Sequence, residues 1–302
     1  MYTQCIWHAG EHNAFTDLIA WRSALWCVFR EGSAHVSPDG AFRLLRSVDQ
    51  GLNWQSVAVL QHPAADLRDP KLSIMPDGRL VLSGAGALHD QRQASHQSFY
   101  WLSTDGIHWS AATAIGEPNF WLWRLTWWQQ QAFALGYHCV NPAISRLYHA
   151  RGDLQFSPLA DIYQGSYANE SSILFDTDGQ ALCLLRRDPE PGLVGRSQPP
   201  YRHWQWQEIG VRIGGPHWLR LTDGRLLACV RLYDDPIRTS LCWIDERSAK
   251  LTEALALPSG GDCSYAGMLV QNEQLYLSYY SSHTGKTAIF FSSLPLAALS
   301  AV

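Results

Sequence analysis

The chain is a succession of short apolar runs, such as Ala181-Leu182-Cys183-Leu184-Leu185-Arg186 and Leu226-Leu227-Ala228-Cys229-Val230-Arg231. They are separated by polar turns such as Pro76-Asp77-Gly78, Asp176-Thr177-Asp178-Gly179 and Thr222-Asp223-Gly224. Asp-Gly between two such runs is a tight hairpin signal, because Gly accepts the positive φ that the turn requires. No segment of ordinary helix length carries a 3.6-residue period. Strand pairs recur about every fifty residues, the spacing of propeller blades.

Reading the runs in order predicts six blades. The first has strands over 16–21, 25–30, 42–47 and 53–60, and the second over 70–75, 79–84, 98–103 and 108–115. The third covers 120–128, 132–138, 145–150 and 154–159, and the fourth 171–175, 181–186, 193–197 and 204–209. The fifth covers 218–221, 225–231, 239–245 and 251–257. The last has three strands only, over 266–270, 274–280 and 288–293, while a spare strand stands at 4–8. The N-terminal strand is therefore expected to complete the last blade, which would remove sheet edges open to aggregation. Residues 1–302 read as one all-β domain, a six-bladed β-propeller.

One turn recurs. Ser47-Val48-Asp49-Gln50-Gly51-Leu52-Asn53-Trp54 is repeated one residue shorter as Ser103-Thr104-Asp105-Gly106-Ile107-His108-Trp109. A degraded third copy, Arg151-Gly152-Asp153-Leu154-Gln155-Phe156, has Phe in the Trp place. The Asp can accept hydrogen bonds from turn N–H groups, the Gly supplies a positive φ, and the Trp folds back over the turn. This turn resembles the Asp-box of the sialidase (neuraminidase) superfamily, a motif that marks a structural turn and occurs in catalytic and non-catalytic propellers alike.

Composition narrows the function classes. A formal charge of −4 provides no basic stripe for nucleic acid or an anionic membrane, so neither is expected as a partner. Fourteen Trp and twelve Tyr suit a β-rich fold and also surfaces that stack on sugars. The seven Cys lie mostly in apolar runs and show no metal-ligand spacing, which reads as buried reduced thiols; no metal and no cofactor are expected. The first residues carry no basic n-region followed by an apolar h-region, so the expected location is the cytoplasm, unless a signal was removed before this numbering.

Candidate chemistry follows from topology. In each inner hairpin the start of the first strand and the end of the second lie on one face, around the central channel. That face collects Asp17, Arg30, His35, Arg68, Asp69, Arg124, Glu170, Arg186, His217, Arg231, Tyr265 and Tyr280, while Asp-Gly turns occupy the other. Several arginines at one channel read as an anion site, since guanidinium binds carboxylate bidentately. The competing account makes them internal struts, Arg30 pairing Glu31 or Asp69 and Arg186 pairing Glu170.

The resemblance to sialidases extends to this face. The run from Glu170 through Asp178-Gly179 to Arg186 resembles the sialidase blade that carries a Glu on one strand and a substrate-binding Arg at the end of the next. The strand ending at Arg231 resembles the following arginine strand, and Ser264-Tyr265 the segment holding the nucleophilic Tyr. The resemblance implies Tyr265 as nucleophile, Glu170 as its base, and Arg186 and Arg231 as carboxylate-binding arginines, on an exo-glycosidase of terminal acidic sugars. The first blade departs from the family: Phe15-Thr16-Asp17-Leu18 stands where sialidases have Arg-Ile-Pro. Arg30 or Arg68 would have to supply the third arginine, with His217 a further substrate contact, and Asp69 or His35 the general acid. Two other readings stand beside this one. One is a hydrolase or lyase with His-based acid/base chemistry on an acidic sugar. The other is a non-catalytic propeller that binds glycan or protein through its aromatic face. Oligomeric state is open.

Overall fold

The computed structural model describes residues 1–140, 144–152 and 154–299. They form six four-stranded antiparallel sheets, a six-bladed propeller, and the only helical element among the described residues is a 3₁₀ turn at Leu296–Ala298. Blade one comprises His12–Trp21, Ala24–Gly32, Ala41–Ser47 and Gln55–Leu60; blade two Ala65–Ile74, Leu80–Leu88, His96–Ser103 and Thr113–Ile115; blade three Phe120–Trp128, Gln131–His138, Ile144–Arg151 and Ser157–Gln164. Blade four comprises Ala168–Phe175, Ala181–Arg187, Leu193–Ser197 and Gln205–Glu208, and blade five Ile213–Arg220, Leu226–Leu232, Arg238–Ile244 and Leu251–Ala256. Blade six is built from Cys263–Gln271, Gln274–Ser281 and Ala288–Pro295, and the N-terminal strand Tyr2–Trp7 pairs antiparallel with the last of these. The ring thus closes as expected, first strand on last blade.

Neighbouring blades pack face to face. Leu184 and Val194 of blade four, for example, meet Ile213, Trp218 and Val230 of blade five in one cluster. Each fully buried aliphatic or aromatic side chain there contributes about 1.5–3 kcal/mol. The two recurrent turns lie in outer hairpins on the face opposite the channel mouth. Asp49 accepts from Asn53 N–H at 2.9 Å, and the Trp54 indole donates back to Gly51 O at 3.0 Å. In the second copy Asp105 accepts from the Ile107 and His108 amides at 2.8 Å each, and the Trp109 indole donates to Gly106 O at 3.2 Å. Gly51 and Gly106 sit at φ +90° and +76°. In the third copy Asp153 lies outside the described residues.

The first strands of blades one, two and five begin four or five residues before the sequence reading, and two outer strands begin after it. The fourth strand of blade two is confined to Thr113–Ile115, because the Asp105 bonds hold the chain after it in a turn and Ser110 N–H returns to Leu102 O. The last strand of blade three begins at Ser157, since Leu154 has the left-handed φ of +57° and cannot join a ladder.

One feature positions everything at the channel mouth. Every inner hairpin slips register at the same level, skipping Phe15-Thr16, Asp69-Pro70, Trp123-Arg124, Asn169-Glu170, Gly215-Pro216 and Tyr265-Ala266 in blades one to six. A bulge leaves its residues out of the ladder and re-aims their side chains. Here the bulges of blades one, two, four and six bring Phe15, Asp69, Glu170 and Tyr265 close together. Phe15, Asp69 and Tyr265 occupy φ of +59°, +53° and +53°, unusual for side chains of this bulk. Such conformations cost about 1–3 kcal/mol each, persist only where packing imposes them, and cluster at functional sites.

Candidate active site

Three side chains from blades four and six meet at the channel mouth. The Tyr265 hydroxyl donates to Glu170 Oε1 at 2.7 Å, and Arg186 donates from one nitrogen to Glu170 Oε2 at 2.5 Å and to the Tyr265 oxygen at 3.0 Å. Glu170 and Tyr265 are both bulge residues, and Arg186 is the last residue but one of the second strand of blade four, so pseudo-symmetry of the blades brings them together. Burial pushes the Tyr265 hydroxyl well above its ordinary range, the Glu170 charge adds to this, and Arg186 and Arg231 offset part of it. The phenol therefore keeps its proton at rest, with a carboxylate in place to take it. Arg186 is held from behind by Asp188 at 2.7 Å, which also binds Arg212 and the Asn169 amide.

Packing locks the Tyr265 ring. Phe15 and Trp123 meet it edge-on, with centroids 5.0 and 5.6 Å away, and the Thr16 hydroxyl donates to its backbone oxygen at 2.9 Å. Blade five has Gly215 at its bulge because the ring fills that space: a Cβ there would lie 2.8 Å from Tyr265 Cγ, at a φ of +53°. Gly215→Ala is expected to lower stability by about 1–3 kcal/mol through overpacking and the left-handed backbone. Urea unfolding reads this directly; an unchanged midpoint would mean that the ring has room to move.

A second group stands beside the first. Arg231 donates to Cys263 O, to the Tyr280 hydroxyl at 2.9 Å and to Asp262 Oδ1 at 3.2 Å, and Tyr280 donates to the same carboxylate oxygen at 2.7 Å. Burial would raise the Asp262 carboxyl, but the neighbouring His12 and His35 imidazoles, the Tyr280 hydroxyl and the Arg231 charge outweigh it and hold the group far below the usual range.

Blade two contributes the third group. Burial pushes Asp69 up to about 6, even though Lys71 and Arg68 pull it down, and the nearby Glu170 charge adds to the rise. Asp69 Oδ1 has no hydrogen-bond partner among the described residues, nor do the buried Arg68 Nε and the indole nitrogens of Trp121 and Trp123. The Arg68 guanidinium lies over the Phe15 ring at 5.3 Å, without a carboxylate partner among the described residues. Tyr137, stacked on Trp121 at 5.9 Å, feels the charges of both Glu170 and Asp69 and so lines the same space. Unsatisfied buried polar atoms are costly, and their gathering around Tyr265 points to a polar ligand.

Beneath this ring the channel is plugged by a polar network. Arg124 grips Asp17 with two bonds of 3.0 Å, Leu72 N–H donates to Asp17 Oδ2 at 2.8 Å, and Lys71 lies over the Trp123 ring at 4.5 Å. Burial pulls Lys71 down to about 8.

The candidates from the sequence divide by placement. Tyr265, Glu170, Arg186, Arg231, Asp69 and Arg68 gather in one neighbourhood at the channel mouth. Arg30 does not: it is fully buried, binds Asp66 through Nε at 3.1 Å and a terminal nitrogen at 2.8 Å, and spends the rest of its guanidinium on Ala34 O and Ser37. It is a strut under the loop carrying His35, and its partner is Asp66 rather than Glu31 or Asp69. His217 is buried in the plug, bonded to Ala266 O at 3.1 Å and lowered to about 3 by burial and by Arg124, which leaves it a neutral structural group rather than a substrate contact. His35 is half-exposed at the rim and bonded to Asp262 at 3.1 Å. Lys71, Tyr137, Asp188, Asp262 and His12 escaped the sequence reading.

No protein-family model and no curated protein matches the sequence. Solved structures match in fold. A protein of unknown function from Dyadobacter fermentans superposes with a TM-score of 0.86 at 18% identity, over 97% of both chains. An α-L-arabinanase from Penicillium chrysogenum, complexed with arabinobiose, gives 0.75 at 14% identity over 99% of both chains. Trypanosoma rangeli sialidase gives 0.75 at 10% identity, with 93% of this chain covering 54% of that one. This chain therefore spans about half the length of that sialidase, and at such identities the likeness establishes the propeller fold.

Proposed function

We propose that the protein is a retaining exo-glycosidase in which Tyr265 is the nucleophile. The observation that carries this reading is the Tyr265–Glu170–Arg186 cluster, a phenol already bonded to its base and to a guanidinium. Glu170 Oε1 takes the phenolic proton as the oxygen attacks the anomeric carbon, and Arg186 stabilises the negative charge that develops on that oxygen. Asp69, protonated below about pH 6, donates its proton to the departing glycosidic oxygen as the old bond breaks. A covalent glycosyl–Tyr265 intermediate results. Asp69, now a carboxylate, then takes a proton from a water that attacks the anomeric carbon, and Tyr265 leaves and recovers its proton from Glu170. Asp69 suits the acid role better than His35, whose ring is committed to Asp262.

Arg68, Arg186 and Arg231 face the same space, which supports a terminal acidic sugar, sialic acid or a related ulosonic or uronic acid. Phe15, standing where sialidases have an arginine, favours a second reading: a neutral sugar, as the arabinanase neighbour's name suggests for that enzyme. A panel of aryl α-sialosides, other ulosonides, aryl uronides and aryl α-L-arabinofuranosides separates the two. Turnover of at least one member is expected, and silence of a folded protein across all of them would sink the glycosidase reading. With an acidic substrate, Arg68→Met should raise KM at least about tenfold, the loss of one charge-assisted pair, with melting unchanged. Equal losses on acidic and neutral members would remove Arg68 from the anion site.

A further inference from the structure

The seam where the ring closes carries a cluster that the proposed chemistry leaves unused. His12 opens the inner strand of blade one, His35 sits in the loop after that hairpin, and Asp262 leads into the inner strand of blade six. One ring nitrogen of His12, one of His35 and an Asp262 carboxylate oxygen all lie within 4.8 Å of one another. Asp262 Oδ2 is 3.1 Å from His35 Nδ1 and 3.5 Å from His12 Nε2. Ligand bonds of about 2.0–2.2 Å in a tetrahedral site place ligand atoms about 3.3–3.6 Å apart, close to the two separations from Asp262 Oδ2.

His12 supplies an independent observation. Its ring is buried, 9% exposed, and neither nitrogen makes a hydrogen bond among the described residues. A buried imidazole with both nitrogens unsatisfied calls for a missing partner, and Nε2 is on the side of Asp262 Oδ2. The two oxygens of Asp262 divide their work: Oδ1 accepts from Arg231 and Tyr280, which fixes the carboxylate from behind, and Oδ2 faces the histidines. Outer bonds of this kind orient metal-ligating carboxylates. His35, with half its side chain exposed, leaves the remaining coordination position open to water.

We infer that His12, His35 and Asp262 form a site for a divalent transition metal of the zinc class, which pins blade one to blade six at the ring seam. Two imidazoles and one carboxylate suit zinc and its borderline neighbours, and are too nitrogen-rich for calcium or magnesium. Cysteine and histidine spacing along the chain gave no hint of it, because the ligands are brought together only by closure of the ring.

The test uses the whole chain, dialysed against a chelator and then titrated calorimetrically with Zn²⁺. One equivalent should bind in the micromolar range and raise the melting temperature by at least about 2 °C. His35→Ala, at an exposed position, should weaken binding at least tenfold and abolish the melting shift, and His12→Gln should do the same. His108→Ala, in the exposed His108–Asp105 pair on the opposite face, should change neither. With Co²⁺ in place of zinc, the wild type should show visible absorption of a tetrahedral site that His35→Ala lacks. Absence of one-site binding at 100 µM-order zinc (roughly, the weak end of protein sites), or equal affinity in His35→Ala, would overturn the inference.

Discussion

Tyr265→Phe is expected to lower kcat/KM by at least about 10³-fold, because the oxygen that would form the covalent intermediate is gone. Folding should hardly change. Glu170 and Arg186 still face each other at 2.5 Å, so neither charge is left unpaired, and the ring keeps its edge contacts with Phe15 and Trp123. The unfolding free energy should stay within about 1 kcal/mol of wild type, the net worth of one hydrogen bond. Mass spectrometry supplies the positive counterpart: a fluorinated slow substrate should leave one sugar on the peptide containing Tyr265. Full activity in the variant would end the nucleophile assignment.

Asp69→Asn should separate activity from stability. Asn also tolerates the left-handed backbone at this position, φ +53°, so the substitution introduces no new strain. The folded-state carboxyl is raised to about 6, above its value near 3.9 in an unfolded chain. A group raised in this way contributes stability that is fully present below about pH 4 and is lost as pH rises through 6. At pH 7 wild type therefore keeps a buried charge at a cost that Asn avoids. The variant should be more stable there by about 1–3 kcal/mol, since a tenfold change in proton affinity between the folded and unfolded chain corresponds to about 1.4 kcal/mol. Below pH 4 the difference should vanish. Activity should move the other way, with kcat/KM falling about 10²–10⁴-fold for substrates with poor leaving groups and much less for activated aryl glycosides. In wild type the same proton predicts a decline of kcat/KM as pH rises through about 6. A variant less stable than wild type at pH 7, or a pH profile flat from about 5 to 7, would show that Asp69 does not hold that proton.

The stability cost at Asp69 and the unusual backbone at Phe15, Asp69 and Tyr265 belong together. Each bulge removes residues from the ladder, and the sheet gains nothing from it. Sites that need dry, pre-aimed groups commonly trade stability for function in this way.

The blade pattern was readable from the chain alone because it is local. Strand-length apolar runs, Asp-Gly turns and the repeated Ser-x-Asp turn each act over a few residues, and their spacing counted the blades correctly. The spare strand near the N-terminus even announced how the ring would close. Which side chains share the channel face was also partly legible, since hairpin direction puts strand starts and strand ends on one side, and Glu170, Arg186, Arg231 and Tyr265 came from that rule together with the family resemblance. Pairing was not legible, because it depends on contacts between blades. For Arg30 the sequence offered Glu31 or Asp69, and only the packing of blade two against blade one assigns it to Asp66 and takes it away from the site. His217 lies one pleat too deep, which the bulge decides and the sequence spacing does not. The same holds for His12, His35 and Asp262, whose meeting depends on the ring closing, since no local rule joins residue 12 to residue 262. Local propensity determined the blades; the closure of six of them around one axis decided which charges face each other, and so which could act.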